Sequence, residues 1–516
     1  MKNMLRFSLS ATIITACFLN AAAQTDQLKL TNTYNEQQVI YNTDSFMHTA
    51  WKPLLYNDSI ELRNNGSWFQ RKFFKEHLLQ IRQQDFNLHG DLIFDEYIGN
   101  SKRAVTTPSM NTRGYEVSGN VSDKFYFETA FYENQARFGG YIDSFIRNVR
   151  VVPGQSAFKN VGDGKGFDFS ISEARLMYKP GKHLLFDLGY GKNFIGDGYR
   201  SVLLSDWASN YPYLKSTINL GKVQYNFMWS QHISDRNPNY GNSDEQFRKW
   251  AQTFYLDWKA TKRLSLGLFE SVMWPDQDSS RRKDMSPWIA SPIIFLHGNN
   301  SPSGVDNNVI AGATLRYRIL KNTHIYAQLA VDQFADFGSW KTRYALQAGI
   351  RTGNLFNVEN LNGLLEFNTA RPYMYSTNLL NTNYAHLKQS LAHPLGANFK
   401  EGILVADYRV DNWYLRFETF YSKYGGDSTD AVNYGHDIFK PRQTHTVTNN
   451  VKTGQGLTST IMFADMKIAY IINPVTNMRI EAGMTYRNEK SALFNYKDRI
   501  FYIGIRMSFR KISYDF

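Results

Sequence analysis

Cysteine is almost absent from this 516-residue chain, the single one being Cys17. Intrachain disulfides and Cys-ligated metal sites are therefore excluded as sources of stability. Long apolar runs are scarce as well: beyond residue 25 none approaches the roughly 20 residues that a spanning helix needs. Mean hydropathy is −0.45, and hydrophobic residues make up only 42% of the chain. A helical membrane bundle is excluded. Disorder is excluded by the opposite feature, because disordered chains are poor in aromatics and this one holds 36 Phe, 32 Tyr and 10 Trp. Two classes survive: a soluble globular protein, for which the length allows about three domains, or a membrane β-barrel, whose alternating strands average to a polar composition.

The N-terminus chooses the compartment. Lys2 and Arg6, the mostly apolar stretch from Phe7 to Leu19, and then Ala21, Ala22 and Ala23 follow the order of a secretory signal peptide. Residues 1–23 are set aside from the fold on that ground. Ile14-Thr15-Ala16-Cys17 loosely matches a lipoprotein box, but apolar residues continue through Phe18 and Leu19 and the better small-residue site lies downstream. Cleavage after Ala23 removes the only thiol and lowers the net charge from +12 to +10. A basic exported chain favours anionic partners such as lipopolysaccharide or acidic glycans, and no nucleic acid.

The remainder repeats one local pattern, polarity alternating with period two over about ten residues. From 477 to 487, Met478, Ile480, Ala482, Met484 and Tyr486 oppose Arg479, Glu481, Gly483, Thr485 and Arg487. Met462, Ala464, Met466, Ile468 and Tyr470 oppose Asp465 and Lys467; Trp413, Leu415, Phe417 and Tyr421 oppose Arg416 and Glu418; Ile325, Ala327, Leu329 and Val331 oppose Gln328 and Asp332. A soluble sandwich does not set Arg and Glu on the inner face of so many long strands. Lipid outside and water inside do fit. Short connections (122–124, 179–182, 220–222, 259–263, 321–323, 411–412, 473–477) alternate with long ones (136–166, 191–213, 232–247, 274–307, 370–398, 424–455), as periplasmic turns and outer loops do. The expected fold is an all-β, transmembrane antiparallel barrel of about 18 strands over 86–516, from a first strand near 86–98 to a last near 499–510. The even count requires 214–231 to split at Leu220-Gly221-Lys222. The last strand, 501–509, and the terminal Phe516 resemble an outer-membrane insertion signal, although Ile512, Tyr514 and Phe516 have the other parity.

Residues 24–85 form a separate periplasmic segment. Phe69, Phe73, Phe74, Leu78 and Ile81 have helical spacing after Gly66-Ser67, which predicts one amphipathic helix over 67–84. It is expected to pack beneath the barrel, with capping of the mouth or entry into the lumen as the alternatives.

The most distinctive stretch is 189–216, GYGKNFIGDGYRSVLLSDWASNYPYLKS. Four glycines within ten residues mark a backbone that turns sharply or approaches something closely. Lys192, Asn193, Asp197, Arg200, Asp206, Trp207, Tyr211 and Tyr213 supply donors, acceptors and rings, the mixture a sugar takes: charged or amide partners for hydroxyls, ring faces for C–H. These are the candidate polysaccharide ligands; the alternative is a loop folded inward to constrict the lumen. Together with HTAWKP at 48–53, the signal peptide and the barrel pattern, this segment resembles the capsule-assembly family of outer-membrane barrels named for Wzi. The resemblance implies an 18-stranded barrel whose outer loops hold surface polysaccharide without catalysis. At Gly196-Asp197-Gly198 the capsule branch is expected to carry a proline between the glycines. The departure leans toward the family's gliding-motility branch in Bacteroidota, with gliding or secretion machinery as further partners.

Enzyme signals are weak. G-x-S-x-G and H-E-x-x-H are missing, and TGxGL at 453–457 is too short for a nucleotide loop. No cofactor is expected. Asp276, Asp278 and Asp284 have oxygen ligands for Ca²⁺, but read better as a solvated loop beside Arg281, Arg282 and Lys283. Trp274, Trp288, Tyr373 and Tyr375 read as interfacial girdle before sugar-stacking rings. The alternative function is a transport pore, since an 18-stranded barrel is wide enough for water unless it is plugged.

Overall fold

The computed structural model describes residues 27–30, 47–58, 66–104, 106–234, 247–276, 291–296, 307–333, 335–336, 338–378 and 380–516; the signal-peptide and lipoprotein readings lie outside them. Eighteen strands close into one antiparallel barrel. They are β1 (Phe86–Ser101), β2 (Ser109–Val121), β3 (Phe125–Arg137), β4 (Gly166–Gly181), β5 (Leu184–Gly191), β6 (Tyr211–Leu220), β7 (Val223–Ser234), β8 (Phe247–Lys259) and β9 (Leu264–Pro275). The second half is β10 (Asn308–Leu320), β11 (Thr323–Gln333), β12 (Arg343–Thr352), β13 (Leu361–Ala370), β14 (Phe399–Val410), β15 (Trp413–Gly426), β16 (Leu457–Asn473), β17 (Met478–Lys490) and β18 (Asn495–Arg506). The expected split holds: β6 and β7 meet with Leu220 facing Val223 across a tight turn. Gly221 stands there at φ +68°, open space beyond it, a conformation glycine takes without cost.

Alternation sorts side chains as the two solvents require. Met462, Met466, Ile468, Ile480 and Met484 are exposed on the outer wall, while Asp465, Glu481, Thr485 and Arg487 turn into the lumen. Residues i and i+2 share a strand face, so opposite charges two apart pair along the inner wall: Arg416 with Glu418 at 3.0 Å, Arg479 with Glu481 at 2.9 Å, Arg487 with Glu489 at 2.9 Å. Rings gather at the periplasmic rim, where Phe125 stacks on Tyr178 (4.6 Å) and Trp413 meets Tyr470 (5.1 Å), as amphipathic rings do at a membrane interface.

Two expectations are corrected. The helix is α1 (Trp68–Phe74) only, started by a Ser67/Gln70 capping box. Leu79–Arg82 is instead a strand on the lower edge of β1, Leu79 facing Gly90 and Arg82 facing Asn87. Leu79 and Ile81 suit period two as well as a helix, and the open ladder of β1 decides between them. The second correction concerns the C-terminus. The wall stops at Arg506, because Asp95 of β1 accepts from the Met507 amide (2.7 Å) and the Ser508 hydroxyl (3.3 Å) and turns the chain inward. Residues 507–516 lie inside the barrel.

Sidedness follows from the strand parity. A protease site inserted at Asp430 is expected to be cut on intact cells, whereas one at Asn412 should be cut only after the outer membrane is permeabilised. The reverse pattern would invert the barrel.

Candidate functional site

Three segments of the chain meet inside the barrel. The first is 192–210, which leaves the outer end of β5 and folds down against the inner wall. Close approach explains its glycines. A Cβ on Gly196 (φ +132°) would lie 1.8 Å from Gln328 Nε2, and one on Gly198 would lie 2.4 Å from Glu366 Oε2. Glu366 accepts from the amides of Tyr199 (2.7 Å) and Arg200 (3.0 Å).

The second segment enters from the periplasmic side and contains the HTAWKP element. Trp51–Lys52 pairs antiparallel with Phe194–Ile195, so the two motifs that stood out in the sequence form one small ribbon. Trp51 Nε1 donates to Asn193 Oδ1 (2.9 Å), Lys52 Nζ to the Gly196 carbonyl (2.8 Å), and the Gly196 amide to the Ala50 carbonyl (2.8 Å). His48 anchors the ribbon to the wall through Asp257 of β8 at 2.8 Å.

The third segment is the C-terminal tail. Asp515 pairs with Arg200 (3.0 Å) and accepts from Tyr199 Oη (2.6 Å); Lys511 pairs with Asp206 (2.8 Å). The Phe516 ring sits 5.3 Å from Trp207 and 4.5 Å from Phe145 of α2 (Gly140–Val149), a helix in the 138–165 loop. The slipped parity of Ile512, Tyr514 and Phe516 belongs to this inserted tail.

Six of the eight sequence-nominated residues lie in the 192–210 segment and the other two, Tyr211 and Tyr213, at the start of the adjoining wall strand β6, and each contacts other parts of the chain. Lys192 Nζ donates to the carbonyls of Gly154 (2.6 Å) and Asp206 (3.1 Å). Asn193 Oδ1 also accepts from Lys215 Nζ at 3.3 Å. Asp197 faces Arg316 at 3.5 Å, and Arg200 also reaches Glu401 at 3.9 Å. Tyr211 lies against the rings of His232 (4.7 Å) and His386 (5.9 Å), and Tyr213 under the Arg175 guanidinium (5.7 Å). Trp207 and Asp206 hold the tail.

Burial sets the electrostatics. It pushes the Lys192 ammonium down to about 8, against the pull of Asp206. Burial opposes ionisation of Asp197 and Asp206, but Arg316 with Lys52 outweighs it for the first and Lys511 with Lys192 for the second, so both carboxyls sit below their ordinary values. At Asp515 burial prevails over Arg200, and the carboxyl sits above its ordinary value. Beside the assembly a cavity of about 480 Å³ remains, lined by Arg351, Asn362 and Arg409 near the periplasmic turns and by Lys192, Asp206 and Lys511 above.

The other nominated rings are placed differently from expectation. Trp274, Tyr373 and Tyr375 are buried, so they form neither girdle nor open platform; Trp288, Asp278 and Asp284 lie outside the described residues. Tyr375 Oη donates to the Val202 carbonyl (2.7 Å) and Tyr373 Oη to the Asn433 carbonyl (2.9 Å). These bonds tie the 371–398 loop to the 192–210 segment below it and to the 427–456 loop above. On that upper layer Trp340 and His445 stack at 4.1 Å, beside exposed Gln443, Thr444, Thr446, Thr448, Asn449 and Asn450. Nothing in the sequence marks this pair, because its members are far apart in the chain and no spacing joins them.

A closed barrel, apolar outside and charged inside, with its first and last strands starting and ending at the periplasmic rim, defines an outer-membrane protein. No protein-family model and no curated protein matches the sequence. In fold the chain is similar to Wzi of Escherichia coli, an outer-membrane protein involved in group 1 capsule assembly and a carbohydrate-binding β-barrel. The match has 12% identity and a TM-score of 0.55, and covers 93% of this chain and 99% of Wzi. Two Pseudomonas aeruginosa proteins also match: OprD (8% identity, 84% of this chain and 96% of that one, TM-score 0.43) and OpdK (10%, 81% and 98%, 0.43).

The tail latch is testable. Removing one partner of a buried ion pair costs about 3–5 kcal/mol, so Asp515→Ala should free the tail. Carboxypeptidase is expected to leave wild type intact in detergent and to trim the variant. Equal resistance would show that the Arg200–Asp515 contact does not hold the tail.

Proposed function

We propose that this protein is a non-enzymatic, carbohydrate-binding barrel that retains polysaccharide at the cell surface. One observation carries the reading: inside the lumen the 192–210 segment latches both the 50–52 ribbon and the C-terminal tail, and the described parts of the outer loops 371–398 and 427–456 are built on top of it. A conduit needs an open path, whereas a retention surface needs a rigid one. The similarity in fold to Wzi supports the same direction.

In this reading the glycan lies on the upper layer. The Trp340–His445 stack offers a ring face for sugar C–H groups, and the neighbouring amides and hydroxyls pair with sugar hydroxyls. Lys192, Asn193, Asp197, Arg200, Asp206, Trp207, Tyr211 and Tyr213 are the floor that fixes the platform. Such retention serves capsule attachment or adhesion during gliding alike, and gliding or secretion machinery would meet the barrel from the periplasmic side. The transport reading has the 480 Å³ cavity in its favour and the three latched segments against it.

The experiment is a Trp340→Ala/His445→Ala double variant assayed against polysaccharide purified from the producing cells. Affinity is expected to fall by about tenfold, equivalent to about 1.4 kcal/mol, at unchanged surface abundance and heat-modifiability. Unchanged affinity would remove the platform from the reading. Porin-sized single-channel conductance from the intact protein would overturn the retention reading itself.

A further inference from the structure

The N-terminal segment carries apolar surface that nothing in the lumen absorbs. No residue of α1 is buried. Trp68 and Phe69 are 61% and 62% exposed, Phe73 and Phe74 40% and 43%. Leu78, Leu79 and Ile81, just beyond the helix, are exposed as well. Seven apolar groups cluster within a few turns of chain, against the ordinary habit of scattering such residues singly.

Position decides what covers them. Asn473 Nδ2 donates to the carbonyls of Lys72 (3.3 Å) and Glu76 (3.1 Å), so α1 is pinned at the end of β16, the strand whose Tyr470 belongs to the periplasmic ring girdle. Downstream, His77 Nδ1 meets Asp91 Oδ2 at 2.5 Å and the Leu78 amide donates to Asp91 Oδ1 at 2.8 Å, which seats Leu79–Arg82 against β1. Leu79 and Ile81 then continue downward the outer apolar band that Leu92, Phe94, Ile503 and Ile505 form above. The basic residues lie on the same short segment: Arg71 and Lys72 share Glu76 at 3.0 Å each, with Lys75 alongside, so it is net positive.

We infer that α1 and 78–82 form an interfacial foot lying in the periplasmic leaflet of the outer membrane, its occupant being the phospholipid of that leaflet. The four rings sit at headgroup depth as an extension of the girdle, and Arg71, Lys72 and Lys75 face lipid phosphates. Basic residues with aromatic rings on a short exposed helix are the composition of such segments. The foot covers the place where β18 has already ended and the seam edge of β1 is paired only by Leu79–Arg82. Lipid therefore helps to seal the barrel's closing seam.

The test uses the full chain in nanodiscs of phosphatidylethanolamine and phosphatidylglycerol. Cys17 is the only cysteine, so Phe73→Cys in a Cys17→Ser background carries one environment-sensitive label. Leu78→Cys repeats the measurement at a second site, and Asn449→Cys on the outer loop is the aqueous control. At 73 and 78 a nitroxide near the lipid headgroup is expected to quench about threefold more than at 449, and iodide about threefold less. Heat-modifiability of each variant confirms the fold. Iodide quenching at 73 and 78 equal to that at 449 overturns the inference. So does copy-to-copy disulfide crosslinking of the unlabelled Phe73→Cys variant, which would make the face a dimer contact. Neither result touches the polysaccharide reading.

Discussion

The contact on which the rest of the structure depends is the closing register between β18 and β1. In hydrocarbon every strand edge must be paired, and a barrel of this size closes only with a large stagger. The stagger is taken up at one seam: Ile505, next to the end of β18, faces Glu96 in the middle of β1. Below that point the edge of β1 that faces β18 has no neighbour from the barrel proper, while its other edge stays paired with β2. Two consequences follow. The chain leaving β18 meets Asp95 and is turned into the lumen, and the chain entering β1 must fold back as Leu79–Arg82 to satisfy the lower edge. The inserted tail and the N-terminal foot are thus two answers to one geometric demand.

Inside, the tail meets a lumen of paired charges. Buried ion pairs are weak evidence for stability, because desolvation consumes much of the Coulomb gain. What they set here is which partners meet: buried Arg200 is matched by Asp515 and Glu401, and the half-buried Lys511 by Asp206. A tail shifted by one residue would leave Arg200 without Asp515 in a buried site, which disfavours that docking. The order then propagates upward. The 192–210 segment holds the 371–398 loop through Ser205 (amide to the Leu391 carbonyl, 2.7 Å), Gln389 and Tyr375, and that loop holds 427–456 through Tyr373. The outer surface inherits its shape from the floor of the lumen.

Much of the wall was legible because lipid and water impose period two, and period two survives in a single strand. Met462 to Tyr470 and Met478 to Arg487 announce their faces without any partner. The even strand count followed from chain parity, down to the turn at Gly221. The inward loop also left a trace, since Gly196 and Gly198 advertise a close approach, though not to what. The helix was read too long because Leu79 and Ile81 satisfy both periods, and only the open edge of β1 chooses between them. The tail was read as wall because Phe509 continues the apolar phase, while the residue that diverts the chain, Asp95, lies on the opposite end of the barrel's sequence.

What the sequence by itself determined is therefore local and periodic: alternating strands, short turns against long loops, a closed barrel. What only the tertiary structure decided is every contact between segments distant in the chain. Trp51 with Asn193, Arg200 with Asp515, Trp340 with His445 and α1 with Asn473 have no spacing rule, because the curvature and stagger of the closed wall bring them together. A strand's alternation reports the solvent on each side of it, and carries no information about which distant residues share that solvent.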